Sequence, residues 1–213
     1  MKKSIFIVII ILILITKDEN EFYKNIKYID NPSSYLVLVN KNHKLNKDYV
    51  PIDLENISIR YSNEDKYLRK KAKEQFEKLS EDAKLQGYRI VAVSAYRDYN
   101  YQQELFNYYV KEKGIDYALE CSAKEGHSEH QTGLAVDVEG SNKDYDNFAD
   151  TKEFIWMINN SYKYGFILRY PKGKEYITGF KYEPWHYRYV GEEVAKYIYD
   201  NNLTLEEYIE KTN

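Results

Sequence analysis

The chain has 213 residues and a net charge of −3, a length that suits one domain with a tail. Charged residues make up 31% of the chain and no basic surface is indicated, which argues against a nucleic-acid-binding protein. Cys121 is the only cysteine, so an intrachain disulfide and a cysteine-rich zinc site are both excluded.

The N-terminus begins with Lys2 and Lys3, followed by an unbroken apolar run from Ile5 to Ile15. At about 1.5 Å per residue this run covers only roughly 17 Å of a ~30 Å hydrocarbon core, which is typical of an export signal. No small-residue cleavage site follows, so cleavage and retention as an anchor both stay open. The predicted divisions are residues 1–16, signal or membrane anchor; 17–33, linker; and 34–213, the folded domain. We expect an extracytoplasmic monomer, membrane-anchored or secreted, that contacts the membrane through residues 1–16 if they are uncleaved.

The first half of the domain contains a short apolar run at Tyr35–Val39, which predicts a strand. A helix is predicted over 64–86, followed by a buried strand over 88–96. One face of this helix carries apolar residues at spacings of three and four: Leu68, Ala72, Phe76, Leu79 and Ala83.

The second half mixes helices and strands without regular alternation. A helix is predicted over 99–113 with Asp98 as its N-cap, and a strand is predicted at 134–139. The remaining predictions are helices at 116–122, 152–164, 191–202 and 204–211, and strands at 166–170 and 185–190. This order predicts an α+β fold with a small, mostly antiparallel sheet flanked by helices.

Asp137 interrupts the apolar strand LAVDV, where a lone carboxylate is costly unless it is paired or binds a metal. His130 precedes it in the loop GHSEHQTG, and Gly133 allows a tight turn that brings the two side chains together. His127 is the rival ligand in the same loop. We favour His130 as the ligand and expect His127 to support it, while Glu129 between them reads as an exposed acid.

A second candidate segment is YEPWHY at 182–187, where Pro184 excludes a regular helix interior. Glu183 and His186 stand three residues apart in this extended or turn segment. A catalytic zinc site takes three protein ligands and keeps one position for water. The economical interpretation is that His186 is the third ligand and Glu183 the general base for the metal-activated water.

Four blocks resemble the signature blocks of VanY-like D-alanyl-D-alanine carboxypeptidases: SAYRDYNYQQ, GHSEHQTGLAVDV, YGFILRYPKGKEYITGF and YEPWHYRYVG. This group of zinc peptidases includes the L,D-carboxypeptidases of peptidoglycan and shares its fold with hedgehog signalling domains. The resemblance covers about residues 35–195. It implies one zinc ion per chain and peptidoglycan stem peptides as substrates.

The resemblance also implies roles for individual residues. Its S-x-H-x-x-G-x-A-x-D block implies His130 and Asp137 as zinc ligands, and its E-x-x-H block implies Glu183 as base and His186 as the last ligand. Arg97 would stabilise the oxyanion, and Ser128 and Gln103 would hold the C-terminal end of the substrate.

The peptide bond that is cut stays open at this point. A D,D-carboxypeptidase trims pentapeptides and an L,D-carboxypeptidase trims tetrapeptides, and both share all four blocks; the resemblance favours D,D. A non-catalytic cell-wall-binding module of the same fold is the alternative from another class. Such a module could lose Glu183 or Arg97 without penalty, and both are present.

Overall fold

The computed structural model describes residues 22–142 and 147–212. The predicted signal or anchor at 1–16 lies outside these residues. Within the described part of the chain, no helix has the length and apolar character needed to cross a membrane. The described part of the predicted linker packs against the domain, since the Tyr23 ring lies edge-on to His127 with 4.9 Å between ring centroids.

The helices and strands alternate irregularly along the chain. The helices are α1 Lys70–Leu85, α2 Tyr99–Lys113, α3 Ile115–Cys121, α4 Lys152–Asn160, α5 Glu175–Thr178, α6 Glu192–Asp200 and α7 Leu205–Thr212. The strands are β1 Lys27–Tyr28, β2 His43–Lys44, β3 Leu54–Asn56, β4 Tyr67–Arg69, β5 Val91–Ser94, β6 Ala135–Glu139, β7 Phe166–Leu168 and β8 His186–Tyr189.

The principal sheet has four strands in the order β5-β6-β8-β7, and every neighbouring pair is antiparallel. The predicted α+β class with a mostly antiparallel sheet is therefore confirmed. Val136 and Val138 of β6 belong to the apolar core, together with Phe76 and Leu79 of α1. Because side chains alternate along a strand, Asp137 between the two valines points to the opposite face of the sheet.

One predicted strand does not form, and one predicted helix begins later than expected. The segment 35–39 forms no strand, because its carbonyls face a side chain instead of a neighbouring strand: Arg188 Nη2 donates to the carbonyls of Tyr35 and Val37 at 3.0 and 2.8 Å. Helix α1 begins at Lys70 and not at residue 64, because the preceding residues form β4 and pair with β3.

Two helices have capped starts, and the predicted cap at Asp98 is confirmed. The Asp98 carboxylate accepts a hydrogen bond from the backbone N–H of Tyr101 at 2.7 Å, and it caps α2. Thr204 and Glu207 form a capping box before α7, because the Glu207 carboxylate accepts from the Thr204 N–H at 2.7 Å. The C-terminal helix is thus held at a defined start.

Candidate metal centre

The loop before β6 forms one short 3-10 turn, Glu129–Thr132, that ends at Gly133. Gly133 has a φ of 65°, and a Cβ there would lie 2.8 Å from the Leu54 side chain. A larger residue would therefore be both strained and crowded. The turn places His130 at the mouth of β6, and Ser128 Oγ accepts a hydrogen bond from the His130 N–H at 3.3 Å.

Strand pairing brings together the three residues predicted as metal ligands. Asp137 of β6 stands directly opposite His186 of β8 in the antiparallel register. One ligand atom each from His130, Asp137 and His186 lies within 4.8 Å of the others, and all three residues are buried. We refer to these three residues as the trio.

One ring nitrogen of each histidine in the trio points towards Asp137. His130 Nδ1 donates to the Ala95 carbonyl at 2.6 Å, so its Nε2 faces Asp137 Oδ2 at 3.3 Å. His186 Nδ1 faces Asp137 Oδ1 at 2.9 Å. Two inward imidazole nitrogens and a carboxylate oxygen form a donor set that fits zinc.

The protonation states of His130 and Asp137 suit metal binding. Burial lowers the pKa of His130 to about 4, and the Arg97 charge adds to this, so the imidazole is neutral near pH 7. Burial alone would raise the pKa of Asp137, but the neighbouring histidines hold it well below its usual range. A neutral imidazole and an ionised carboxylate are the ligand forms that metals require.

A cavity of about 170 Å³ opens over the trio, and Ser128, Arg97 and Glu183 line it as well. Glu183 Oε2 lies 3.8 Å from His186 Nδ1. Burial raises the pKa of Glu183 to about 7, so this carboxylate can take up a proton near neutral pH. The cavity therefore joins a metal-ligand set, a proton acceptor and a cation.

Arg97 is held in the cavity by three polar contacts. Its Nη1 donates to Ser94 Oγ at 2.8 Å and lies 3.6 Å from Asp137 Oδ2, and its Nε donates to Gln102 Oε1 at 3.1 Å. Gln102 is buried, and its Nε2 donates to the Ala123 carbonyl at 2.7 Å. These contacts fix the guanidinium beside the trio.

Gln103 does not lie in the cavity. Its side chain is exposed on α2 and donates to Glu125 Oε1 at 3.3 Å. The expectation for Gln103 is corrected accordingly, since the neighbouring Gln102 points inward. A shift of one residue on a helix turns the side chain by about 100°, which explains why adjacent glutamines face in different directions.

A family model for VanY, described as D-alanyl-D-alanine carboxypeptidase, matches residues 65–192. The chain belongs to this family. The resemblance predicted from the four sequence blocks is therefore confirmed.

Three relatives illustrate the similarity. VanXYC of Enterococcus gallinarum, a bifunctional D-Ala-D-Ala dipeptidase and carboxypeptidase, is 40% identical over 179 residues, which cover 81% of this chain and 92% of the relative. The structure of the LD-carboxypeptidase LdcB has a TM-score of 0.82 and 45% identity, covering 88% of this chain and 91% of LdcB. A mutant of the vancomycin-resistance D,D-pentapeptidase VanY in complex with Zn(II) has a TM-score of 0.72 and 34% identity, and the match covers 82% of this chain and 98% of the VanY chain.

Glu129, which lies within the stretch matched by the VanY family model, is a buried residue and not the exposed loop acid we expected. Its Oε1 accepts from Arg169 Nε at 2.7 Å and from Arg188 Nη1 at 2.6 Å. Burial alone would raise the pKa of Glu129, but the two guanidinium charges hold it well below its usual range. The expectation was wrong because the Glu129 side chain points inward to Arg188 of β8 and to Arg169, which follows β7.

The sequence held a signal for this network. Arg169 in FILRY and Arg188 in HYRYV interrupt predicted strands, and both are fully buried in the structure. Buried arginines require carboxylate partners, which directs attention to nearby acids. His127, expected to support the ligands, instead has its Nδ1 2.9 Å from the Asn40 carbonyl and packs on Tyr23.

Arg188→Leu is expected to lower the free energy of unfolding by about 3–5 kcal/mol, because it leaves the buried Glu129 with one cation fewer. It also removes the donors for the buried Val37 carbonyl and the partly buried Tyr35 carbonyl. The measurement is urea denaturation followed by tryptophan fluorescence. The matched control is Arg89→Leu, because the Arg89 side chain is 38% exposed and its pair with Glu139 should contribute about 0–1 kcal/mol. Equal losses in both variants would contradict the buried-network interpretation.

Proposed function

We propose that the protein is a zinc-dependent carboxypeptidase that removes the C-terminal D-alanine from peptidoglycan stem peptides, and that it cuts the D-alanyl-D-alanine bond of pentapeptides. The observation that carries this proposal is the shared cavity of the trio, Glu183 and Arg97. Membership of the D-alanyl-D-alanine carboxypeptidase family and the similarity to VanXYC, a D-Ala-D-Ala dipeptidase and carboxypeptidase, support the substrate class.

His130, Asp137 and His186 would hold one zinc ion per chain. The donor set fits zinc, and the related VanY structure is a Zn(II) complex. When bound, zinc lowers the pKa of a coordinated water towards ~7 and polarises a carbonyl oxygen.

Glu183 is the proposed general base and, later, the general acid. Its carboxylate takes a proton from the attacking water and returns it to the nitrogen of the leaving D-alanine. A pKa near the working pH suits both steps, because the group must accept and release a proton in one cycle. Glu183 can perform both transfers without belonging to the ligand set.

Arg97 is proposed to stabilise the negative charge that develops on the carbonyl oxygen of the cut bond. A preorganised cation is effective here because it is already oriented before the reaction. Ser128 is proposed to contact the C-terminal end of the substrate. Gln102 is proposed to position Arg97, because its Oε1 accepts a hydrogen bond from the guanidinium.

Gln102→Ala is expected to reduce kcat/KM by about 10–100-fold, because a hydrogen bond to a charged group contributes about 1.5–3 kcal/mol. The cause is loss of the contact that orients Arg97. The measurement is D-alanine release from a pentapeptide at several substrate concentrations. Gln103→Ala on the exposed face of the same helix is the control, and a larger loss in that control would refute the assignment.

The L,D-carboxypeptidase activity on tetrapeptide stems is a second candidate. One observation favours it: the LD-carboxypeptidase LdcB has a higher TM-score and identity to this chain than the D,D-pentapeptidase VanY mutant has. The non-catalytic wall-binding alternative is disfavoured because Glu183 and Arg97 both line the cavity.

The site of action follows from the substrate. We propose that the domain works outside the cytoplasm, where stem peptides of the wall are found. Residues 1–16 would deliver it there, either as a cleaved signal or as an anchor.

The proposal is tested by metal analysis and by chelation. The purified protein should contain one zinc per chain, and a strong chelator should abolish D-alanine release, with recovery on adding Zn²⁺. Stoichiometric zinc without release from pentapeptide or tetrapeptide would overturn the enzyme assignment in favour of the binding module.

A further inference from the structure

A network of buried charged groups leads from the trio to the C-terminal helix α7. His186 Nε2 lies 3.5 Å from Glu129 Oε2, and Glu129 Oε1 accepts from Arg169 Nε at 2.7 Å. The other side of the Arg169 guanidinium donates two hydrogen bonds, at 2.8 and 2.7 Å, to the carboxylate of Glu206. Glu206 stands in the first turn of α7, beyond the residues that the family model matches.

The charges in this network balance only when α7 is included. The side chains of Glu129, Arg169 and Arg188 have no solvent exposure, so two guanidinium groups face one buried carboxylate. Glu206, with a side chain 14% exposed, supplies the second carboxylate. Because an unpaired buried charge is strongly unfavourable, Arg169 needs Glu206 to stay in place against Glu129.

Where this charge network meets the trio, two buried atoms lack a hydrogen bond within the described residues: His186 Nε2 and Glu129 Oε2. His186 uses Nδ1 towards the trio, so Nε2 is the nitrogen that carries the proton when Nδ1 binds a metal. The unused carboxylate oxygen of Glu129 is the acceptor next to that proton. A small rotation of either side chain would close the 3.5 Å separation into a hydrogen bond.

We propose that Glu129 is the positioning residue for His186, and that α7 holds Glu129 in position through Glu206 and Arg169. This inference rests on the metal site of the proposed function. An acceptor on the outer nitrogen fixes the tautomer and ring orientation of a ligating histidine and raises its basicity. His130 has the same arrangement with the Ala95 carbonyl on its Nδ1, so each histidine of the trio has its own acceptor.

Zinc affinity of the full chain tests the proposal. Affinity is measured by competition between the protein and a chromophoric chelator for Zn²⁺. Glu129→Gln should bind zinc about 10–100-fold more weakly. Glu206→Gln should weaken binding by a smaller factor, and Glu207→Gln should stay within about twofold of wild type. Glu207 is the matched control, because it lies on the same helix and pairs with Lys174 at 2.9 Å, outside the charge network.

A nitrogen-15 NMR spectrum of the imidazole groups separates positioning from a general loss of stability. In the zinc-loaded wild type, His186 should carry its proton on Nε2, with slow solvent exchange. That signal should shift upfield and exchange faster in Glu129→Gln, while the Nδ1 proton of His130 stays unchanged. A variant that merely melts at lower temperature would leave both signals in place.

The outcomes are distinct. Unchanged zinc affinity and an unchanged His186 signal in folded Glu129→Gln would overturn the inference. If Glu129→Gln does not fold, Glu206→Gln decides, and an affinity equal to that of Glu207→Gln overturns the inference. A wild-type chain that binds no zinc would refute the proposed function itself.

Discussion

Glu183→Gln is expected to reduce the turnover number for D-alanine release by about 10²–10⁴-fold, the usual contribution of a general base. The amide keeps the shape of the side chain but cannot accept the proton of the attacking water. Zinc content should stay at the wild-type level, because the ligand atoms of the trio come from His130, Asp137 and His186. Turnover is measured with saturating pentapeptide, and zinc by atomic absorption on the same preparation.

Glu125→Gln is the matched control for this variant. Glu125 lies in the loop between α3 and the 3-10 turn, and its carboxylate accepts a hydrogen bond from the exposed Gln103, outside the cavity. It should turn over at the wild-type rate. A Glu183→Gln protein that retains zinc and works at a rate close to wild type would rule out Glu183 as the base.

Asp137→Asn should have the second large effect, a loss of zinc affinity greater than the roughly 100-fold that supporting residues produce. The amide removes the one anionic ligand of the trio and leaves two neutral imidazoles as the remaining ligands of a divalent ion. D-alanine release at limiting zinc should fall by at least the same factor. The measurement is competition with a chelator, combined with activity across a zinc titration.

The control for Asp137→Asn lies two residues along the same strand. Glu139→Gln removes a carboxylate that pairs with Arg89 at the end of β6 and does not line the cavity. The zinc affinity of Glu139→Gln should match that of the wild type. Equal zinc affinity in Asp137→Asn and wild type would contradict the assignment of the trio.

Asp137 and His186 could be predicted because both stand out in the sequence. Asp137 is a carboxylate in an apolar strand, and His186 follows a proline that prevents a helix. The pairing of β6 with β8, opposite each other in register, then brings these two residues together. The sheet class also followed from the order of apolar runs, because irregular alternation favours antiparallel pairing.

The supporting groups could not be predicted in the same way. Gln102 and Gln103 are identical in type and adjacent, so only the rotation of α2 about its axis determines which one meets Arg97. Glu129 sits in a polar loop, and its burial depends on two arginines about 40 and 59 residues away in sequence. Such long-range charge pairing leaves no local periodic pattern in the sequence.

The start of α1 shows a further limit. The apolar spacing that predicted a helix from residue 64 includes Leu68, which is buried in the structure but belongs to β4. Burial at this position is compatible with either element, and the pairing of β4 with β3 determines which one forms.

The central claim, metal-dependent removal of a terminal D-alanine, is tested most directly by mass spectrometry of muropeptides incubated with the protein. Pentapeptide and tetrapeptide stems are supplied separately, each with the zinc-loaded protein, the chelated protein and Glu183→Gln. We expect the zinc-loaded protein to shorten the pentapeptide by one alanine, while the chelated protein and the Glu183→Gln variant leave it intact. Shortening of the tetrapeptide alone would move the activity to the L,D bond. Unchanged masses for both stems with a zinc-loaded, folded protein would contradict the claim.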